Sequence, residues 1–289
     1  MGVQGVAKKT IKPICTVVIP SRDGEITLPQ TLESLLAQDV PIKILVADDH
    51  SIDNTPMILE KFRDRGIETI RYPTREPRDY ARVPILLNML KPLEPDTPFY
   101  MVSGDDTVYT SSYIRLVTEY MTREKIALAS GKSVEYPGRN AAPGGSGRIF
   151  TKKVWDKVTP FYPNIAWETG ALYKTRKEGH NIGFYSDATK SHIRPQTSES
   201  TRTFGHAAFL LGTPITFTFF RIIKILLVGE HSFNKAVNIL IGQFEYELKR
   251  PPRVDIWPYV RQLKYIQRNQ GIKTILKRAG RKILKAIIK

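Results

Sequence analysis

Two hydrophobic periods alternate along the first hundred residues. Runs that are apolar at almost every position, as expected of strands buried on both faces, are separated by segments apolar at every third or fourth position. CTVVIP at 15–20 is the first such run, closed by Pro20. Leu28, Leu32, Leu35 and Leu36 then share one helical face, and IKILVA at 42–47 forms a second strand. Thr55-Pro56 opens a helix, with Thr as cap and Pro at the first helical position, and Gly66 stops it. Glu68–Arg71 reads as a third strand, Ile85–Leu90 as a helix, and Phe99–Val102 as a fourth strand ending at Ser103. Alternation at this spacing predicts an α/β protein with a parallel, doubly wound sheet, whose ligands sit at the carboxyl ends of the strands.

Beyond residue 130 the pattern loosens. YPGRNAAPGGSGR, residues 136–148, is a Gly/Pro-rich loop expected beside a site. Residues 155–183 read as helical in their later half, with Ala171, Leu172 and Thr175 on one side and Gly179 as the stop. AAFLLGTPITFTFF, from Ala207, is apolar but interrupted by Pro214. Arg221 and Lys224 arrive before the roughly 20 clean residues that a spanning helix needs accumulate. The expectation is therefore a segment lying in or dipping into a membrane interface rather than crossing it. In GIKTILKRAGRKILKAIIK, residues 271–289, Ile272, Ile275, Leu276, Ala279, Ile283 and Ile287 share one helical face, and most Lys and Arg fill the other. That is the pattern of a basic amphipathic helix on an anionic membrane; the competing reading is a helix packed on its own domain with a solvated charged face. The expected division is an α/β domain over 1–205 and a helical membrane-associating region over 206–289.

Charge sharpens this division. The chain has 289 residues, 41% hydrophobic and 25% charged, which suits a globular protein, and its formal net charge is +16. From His206 to Lys289 there are 16 Lys+Arg against 4 Asp+Glu, whereas residues 1–205 hold 28 against 24. The C-terminal third thus calls for an anionic partner surface, phospholipid or nucleic acid. A single cysteine, Cys15, excludes an internal disulfide and a multi-cysteine zinc site. The N-terminus, MGVQGVAKKTIKP, lacks the apolar core of a signal peptide, and Val6 departs from the myristoylation pattern.

Four clusters could carry chemistry. Asp48 and Asp49, in VADDHSIDNT, follow a strand and can accept hydrogen bonds from a base edge or ribose, while Asp53 reads as a turn that caps the next helix. Asp105 and Asp106 end the run FYMVSGDDTVY, where carboxylates could hold a divalent cation against a diphosphate. Glu168, in AWETGALYKTRKEGH, could take a proton from an acceptor hydroxyl, or simply favour a helix N-terminus. In KSHIRPQ, His192 could complete a metal shell and Arg194 could hold phosphate; Arg78 and Arg82, ahead of Asn88, are either further phosphate-contact candidates or solvated surface.

Taken in order, TVVIPSRD, VADDHSIDNT, VSGDDTVY, WETGALYKTRKEGHNI and SHIRP resemble the family-2 inverting glycosyltransferases with a GT-A fold, including the dolichol-phosphate-mannose-synthase-like branch. The resemblance spans roughly residues 14–200. It implies a Rossmann-like, mostly parallel sheet flanked by helices, and transfer of a hexose from a nucleoside-diphosphate sugar with inversion at the anomeric carbon. By resemblance, Asp48 and Asp49 bind base and ribose, Asp105 is the metal-binding aspartate of the DXD motif with Mn²⁺ or Mg²⁺ as cofactor, Glu168 is the catalytic carboxylate, and His192 is a late metal or phosphate contact. Pro20, Arg22, Arg82, Asp106, Trp167 and Arg194 are the remaining substrate-binding candidates. Two positions depart from the family pattern: Ser103 replaces the first aspartate of DXD, and Trp167-Glu168 replaces a Glu-Asp pair. The implied acceptor is membrane-associated, such as a polyprenyl-phosphate or other lipid-linked species. The protein would then work peripherally or monotopically at the cytoplasmic face of a membrane. No nucleic-acid partner is expected on this reading. The alternatives are a nucleic-acid-binding protein built on the basic C-terminal third, for which Tyr259 and Tyr265 would be stacking platforms, and a sugar nucleotidyltransferase using the same sheet and carboxylates.

Overall fold

The computed structural model describes residues 12–135, 145–194, 199–228 and 233–267. The amphipathic stretch at 271–289 and most of the Gly/Pro-rich loop lie outside the described residues. Two compact units emerge: one formed by residues 1–163 and 178–195, the other by 164–177 and 196–289.

The first unit is built on an eight-stranded mixed sheet. Its strands are β1 (Cys15–Ser21), β2 (Ile42–Asp48), β3 (Glu68–Arg71), β4 (Phe99–Val102), β5 (Thr107–Tyr109), β6 (Leu128–Ser133), β7 (Arg148–Thr151) and β8 (Ile182–His192). They lie in the order β3-β2-β1-β4-β7-β6-β8-β5. Helices α1 (Leu28–Leu36), α2 (Thr55–Arg63), α3 (Val83–Met89), α4 (Tyr113–Arg123) and α5 (Lys152–Val158) accompany them. The sequence patterns account for the first half. Leu28, Leu32 and Leu35 are fully buried against the β1 and β2 residues Val17, Ile19, Ile44 and Val46 in one core. Asp53 Oδ1 accepts from Thr55 N at 3.0 Å, the turn expected of it, but the N-cap residue is Asn54 and not the expected Thr55, which is the first residue of α2. Gly66 adopts φ +84°, a left-handed turn after α2 that costs a glycine little.

The parallel pairing expected of the first hundred residues is present in β3-β2-β1-β4. β7 runs antiparallel to β4 and β6, and β5 antiparallel to β8, while β6 and β8 are parallel. β5 and β7 are three and four residues long, too short to display a period of two. Their placement is set by partners distant in the chain.

The second unit contains α6 (Trp167–Lys177), α7 (Glu199–Leu210), α8 (Ile215–Val228) and α9 (Phe233–Lys249), and a helical run at 257–267. α7 and α9 cross with backbone in contact: a Cβ on Gly205 would come within 2.1 Å of Ile239 O, and one on Gly242 within 2.2 Å of Arg202 O. The apolar run from Ala207 divides at Gly212 (φ +72°) and Pro214 into the end of α7 and the start of α8. Among the described residues no helix is long and apolar enough to cross a membrane.

Candidate active site

Strand register brings the carboxylates together. Ser21 and Asp48, the last residues of β1 and β2, are cross-strand partners, and Asp49 N donates to Ser21 O at 2.8 Å. β4 lies on the other side of β1, and Ser103 N donates to Val18 O at 3.0 Å as the chain leaves it. Asp48, Asp49 and Asp105 therefore stand at the carboxyl edge of three neighbouring strands, all buried. Isolated carboxylates in such a position are costly, so each should meet a donor or a cation.

Each does. Asp48 Oδ1 accepts from Ser51 N at 3.0 Å and Ser51 Oγ at 2.5 Å. Its Oδ2 lies 3.4 Å from Arg71 Nη1, within ion-pair range, but accepts no hydrogen bond. Asp49 is held by two guanidinium groups, with Arg22 Nη1 at 3.0 Å and Arg82 Nη2 at 2.5 Å. Arg82 lies over the Tyr72 ring at 4.5 Å, and its pKa is raised, chiefly by the Asp49 hydrogen bond. Asp105 Oδ2 accepts from Ser21 Oγ at 3.0 Å and from Arg22 N and Arg194 Nη2, both at 3.3 Å. Burial pushes the Asp105 carboxyl above the usual range; the Arg194 charge opposes this and neighbouring Asp106 reinforces it.

A strap crosses near these residues. Arg22 Nη2 donates to Glu76 O at 2.7 Å, and Arg75 pairs with Asp23 at 2.7 Å and donates to His50 O at 2.9 Å. The Arg75 hydrogen bond lowers the Asp23 pKa to about 2.

The position of Ser103 explains the missing DXD carboxylate. Its hydroxyl is buried, donates to Gly104 O at 2.8 Å and shares a hydrogen bond with Tyr109 OH at 2.8 Å. Tyr109 OH in turn contacts Ser146 Oγ at 2.9 Å, and Gly104 N donates to the same Ser146 oxygen at 2.9 Å. Burial raises the Tyr109 pKa to about 12, so the phenol stays protonated in this network. Ser103 thus fastens the turn that presents Asp105.

His192 ends β8 opposite Thr107, with Nδ1 3.2 Å from Thr107 Oγ1. Burial lowers its pKa, Asp106 opposes that shift, and the imidazole is favoured in its neutral, ligand-competent form. The carboxylates of Asp105 and Asp106 are of the oxygen type that suits Mn²⁺ or Mg²⁺, whereas an imidazole such as His192 is a ligand more usual for softer metals. Among the described residues no group of three or more His, Cys, Asp or Glu side chains is arranged to enclose a metal. Asp105, Asp106 and His192 therefore do not by themselves make a metal cage.

The other candidates fall elsewhere. Pro20 sits half-buried on β1 beside Ala47. Asn88 closes a reciprocal pair with the Phe161 backbone at 3.0 and 2.8 Å, a structural clasp, and Arg78 is exposed. Trp167 and Glu168 open α6, in the second unit, with Glu168 in its first turn, where its charge also suits the helix dipole. Ser21, Thr27, Arg71, Tyr72 and Arg75 were not singled out from the sequence. Ser21 and Arg71 could have been, since both close strands of the same parallel set.

A model of the glycosyl transferase family 2 matches residues 16–187, more than half of the chain. The chain belongs to glycosyl transferase family 2. Membership places it among the glycosyltransferases, and the sheet agrees with a GT-A fold. Among solved structures, the mannosyltransferase PcManGT from Pyrobaculum calidifontis, in complex with GDP-Man and Mn²⁺, is similar with a TM-score of 0.59 and 13% identity over 81% of this chain and 70% of that one. S. aureus TarS 1–349 in complex with UDP-GlcNAc gives 0.52 and 16% over 68% and 65%, and TarS 1–349 alone 0.50 and 17% over 68% and 64%. The chain thus covers slightly under two thirds of TarS 1–349, and at these identities the likeness is one of fold. No curated protein matches the chain by sequence.

Proposed function

We propose that this family-2 protein transfers a hexose from a nucleoside-diphosphate sugar to a membrane-associated acceptor, with inversion at the anomeric carbon. The observation that carries the reading is the row of buried carboxylates Asp48, Asp49 and Asp105 at the carboxyl ends of β2 and β4, the strands flanking β1, interleaved with Arg22, Arg82 and Arg194. Two structural relatives that carry a nucleoside-diphosphate sugar, UDP-GlcNAc or GDP-Man, support the donor class, and Mn²⁺ in one of them supports a divalent cation.

In this mechanism Asp48, whose Oδ2 has no donor, accepts from the base or ribose, and Asp49 orients Arg22 and Arg82. Arg194 turns toward the diphosphate, for which a guanidinium fork is well matched. Asp105, with Asp106 and His192, would hold a cation that offsets the charge developing on the departing nucleoside diphosphate. Glu168 acts as base toward an acceptor hydroxyl, or positions the acceptor where that group is already an anionic phosphate. The basic C-terminal third, 16 Lys+Arg against 4 Asp+Glu, keeps the enzyme at the anionic membrane that holds the acceptor.

A hydrolysis screen of sugar nucleotides with Mn²⁺ or Mg²⁺, comparing wild type with Asp105→Ala, tests the assignment. Release of nucleoside diphosphate that falls by at least about 100-fold in the variant is expected. Equal turnover removes the metal role of Asp105, and pyrophosphate as the product points to nucleotidyl transfer instead.

A further inference from the structure

The second unit displays large apolar side chains on three of its helices. On α9, Ile241, Phe244 and Leu248 are 41%, 56% and 70% exposed, and their spacing of three and four residues places them on one face. Phe204 on α7 is 45% exposed and adjoins Gly205, the residue through which α7 meets α9. Phe219 and Phe220 on α8, which also packs on α9, are both about half exposed. Single exposed apolar residues are ordinary on a soluble surface, but six on mutually packed helices call for a covering partner.

The charges nearby select that partner. Glu245 of α9 is held by Arg202 and His206, and Glu247 faces Arg253 at 3.8 Å, so these carboxylates are already matched. Lys249 and Arg250, immediately past Leu248, are exposed. Residues 206–289 carry the large basic excess noted above. A second copy of the chain is a poor fit, because symmetric pairing would set the same basic stretch against itself.

We propose that Phe204, Phe219, Phe220, Ile241, Phe244 and Leu248 form a docking face for an anionic phospholipid surface. Their side chains enter the boundary between headgroups and acyl chains, and the flanking basic residues meet lipid phosphates. α9, at 17 residues, is about 25 Å long and lies along the surface instead of crossing it. This inference rests on the membrane-associated acceptor proposed above and names the surface that such an enzyme would use.

Vesicle flotation of the full chain tests it, using phosphatidylcholine–phosphatidylglycerol vesicles against phosphatidylcholine alone. Wild type is expected to float with the anionic vesicles. Phe244→Ser/Leu248→Ser and, separately, Phe219→Ser/Phe220→Ser should each lower the partition coefficient at least about tenfold. Melting temperature and sugar-nucleotide hydrolysis should be unchanged in both, which excludes misfolding as the cause. Double variants that float like wild type overturn this face while leaving the membrane-associated reading standing. A wild type that fails to float overturns both. Wild-type dimers that the same substitutions convert to monomers assign the face to self-association and overturn the proposal.

Discussion

Arg194 sets one Nη2 against two partners, Asp105 Oδ2 at 3.3 Å and Thr27 Oγ1 at 2.7 Å. The residue just past β8 is thereby tied both to the turn after β4 and to the residue that precedes α1. Asp105 is 8% exposed, and Arg194 is the leading cationic influence that keeps its carboxyl from rising further. Removing the guanidinium leaves a buried carboxylate with, among the described residues, only Ser21 and the Arg22 amide as donors. Arg194→Ala is expected to lower kcat/KM for sugar-nucleotide hydrolysis by about 10- to 100-fold, the loss of one charge-assisted contact. Arg194→Lys should recover part of it, since lysine keeps the charge but not the fork. Steady-state kinetics on the three proteins check this.

Asp49 is a structural counter-ion to Arg22 and Arg82, and both guanidinium groups are mostly buried beside it. Asp49→Ala strands two cations and should cost about 3–5 kcal/mol, read as a fall in the urea midpoint. Asp49→Asn keeps the shape and should lose less.

Restoring an aspartate at 103 should not restore a metal ligand. Ser103 is 1% exposed and faces Tyr109 OH and Gly104 O, which offer no cation. Ser103→Asp is expected to lose roughly 1–3 kcal/mol of stability and to leave Mn²⁺ affinity no tighter than wild type. Thermal melting and a Mn²⁺ titration measure the two effects.

The Asp23–Arg75 pair predicts a pH dependence with a definite sign. The Asp23 carboxyl falls from its ordinary 3.8 to about 2 because Arg75 donates to the charged form. Its contribution is therefore complete above pH 3.8 and disappears as pH falls through about 2. Asp23→Asn should be less stable than wild type near neutrality by about 1 kcal/mol, after allowance for screening of a partly exposed pair. The difference should close as pH approaches 2. Urea midpoints at neutral and acidic pH test this.

At the α7–α9 crossing, Gly242→Ala would drive a methyl into Arg202 O, a backbone atom that cannot turn aside. A loss of roughly 1–3 kcal/mol is expected, visible as a lower melting temperature. The same change at Gly66, where no atom lies within 4 Å of the added carbon but φ is +84°, tests backbone strain alone.

What the sequence determined by itself was local. Strands β1 to β4 and helices α1 to α3 were readable because burial on one or both faces imposes a period within a few residues, and the Asp53 turn, the Gly66 stop and the Pro214 break follow from backbone chemistry within the same span. The positions of Asp48, Asp49 and Asp105 were legible too, since strand ends mark them. Tertiary structure alone decided which groups meet them. Ser21 reaches Asp105 across 84 positions and Arg194 across 89, through register and strand order that no local period records. It also turned Ser103 toward Tyr109, because a buried hydroxyl takes whichever partner the folded chain brings within reach.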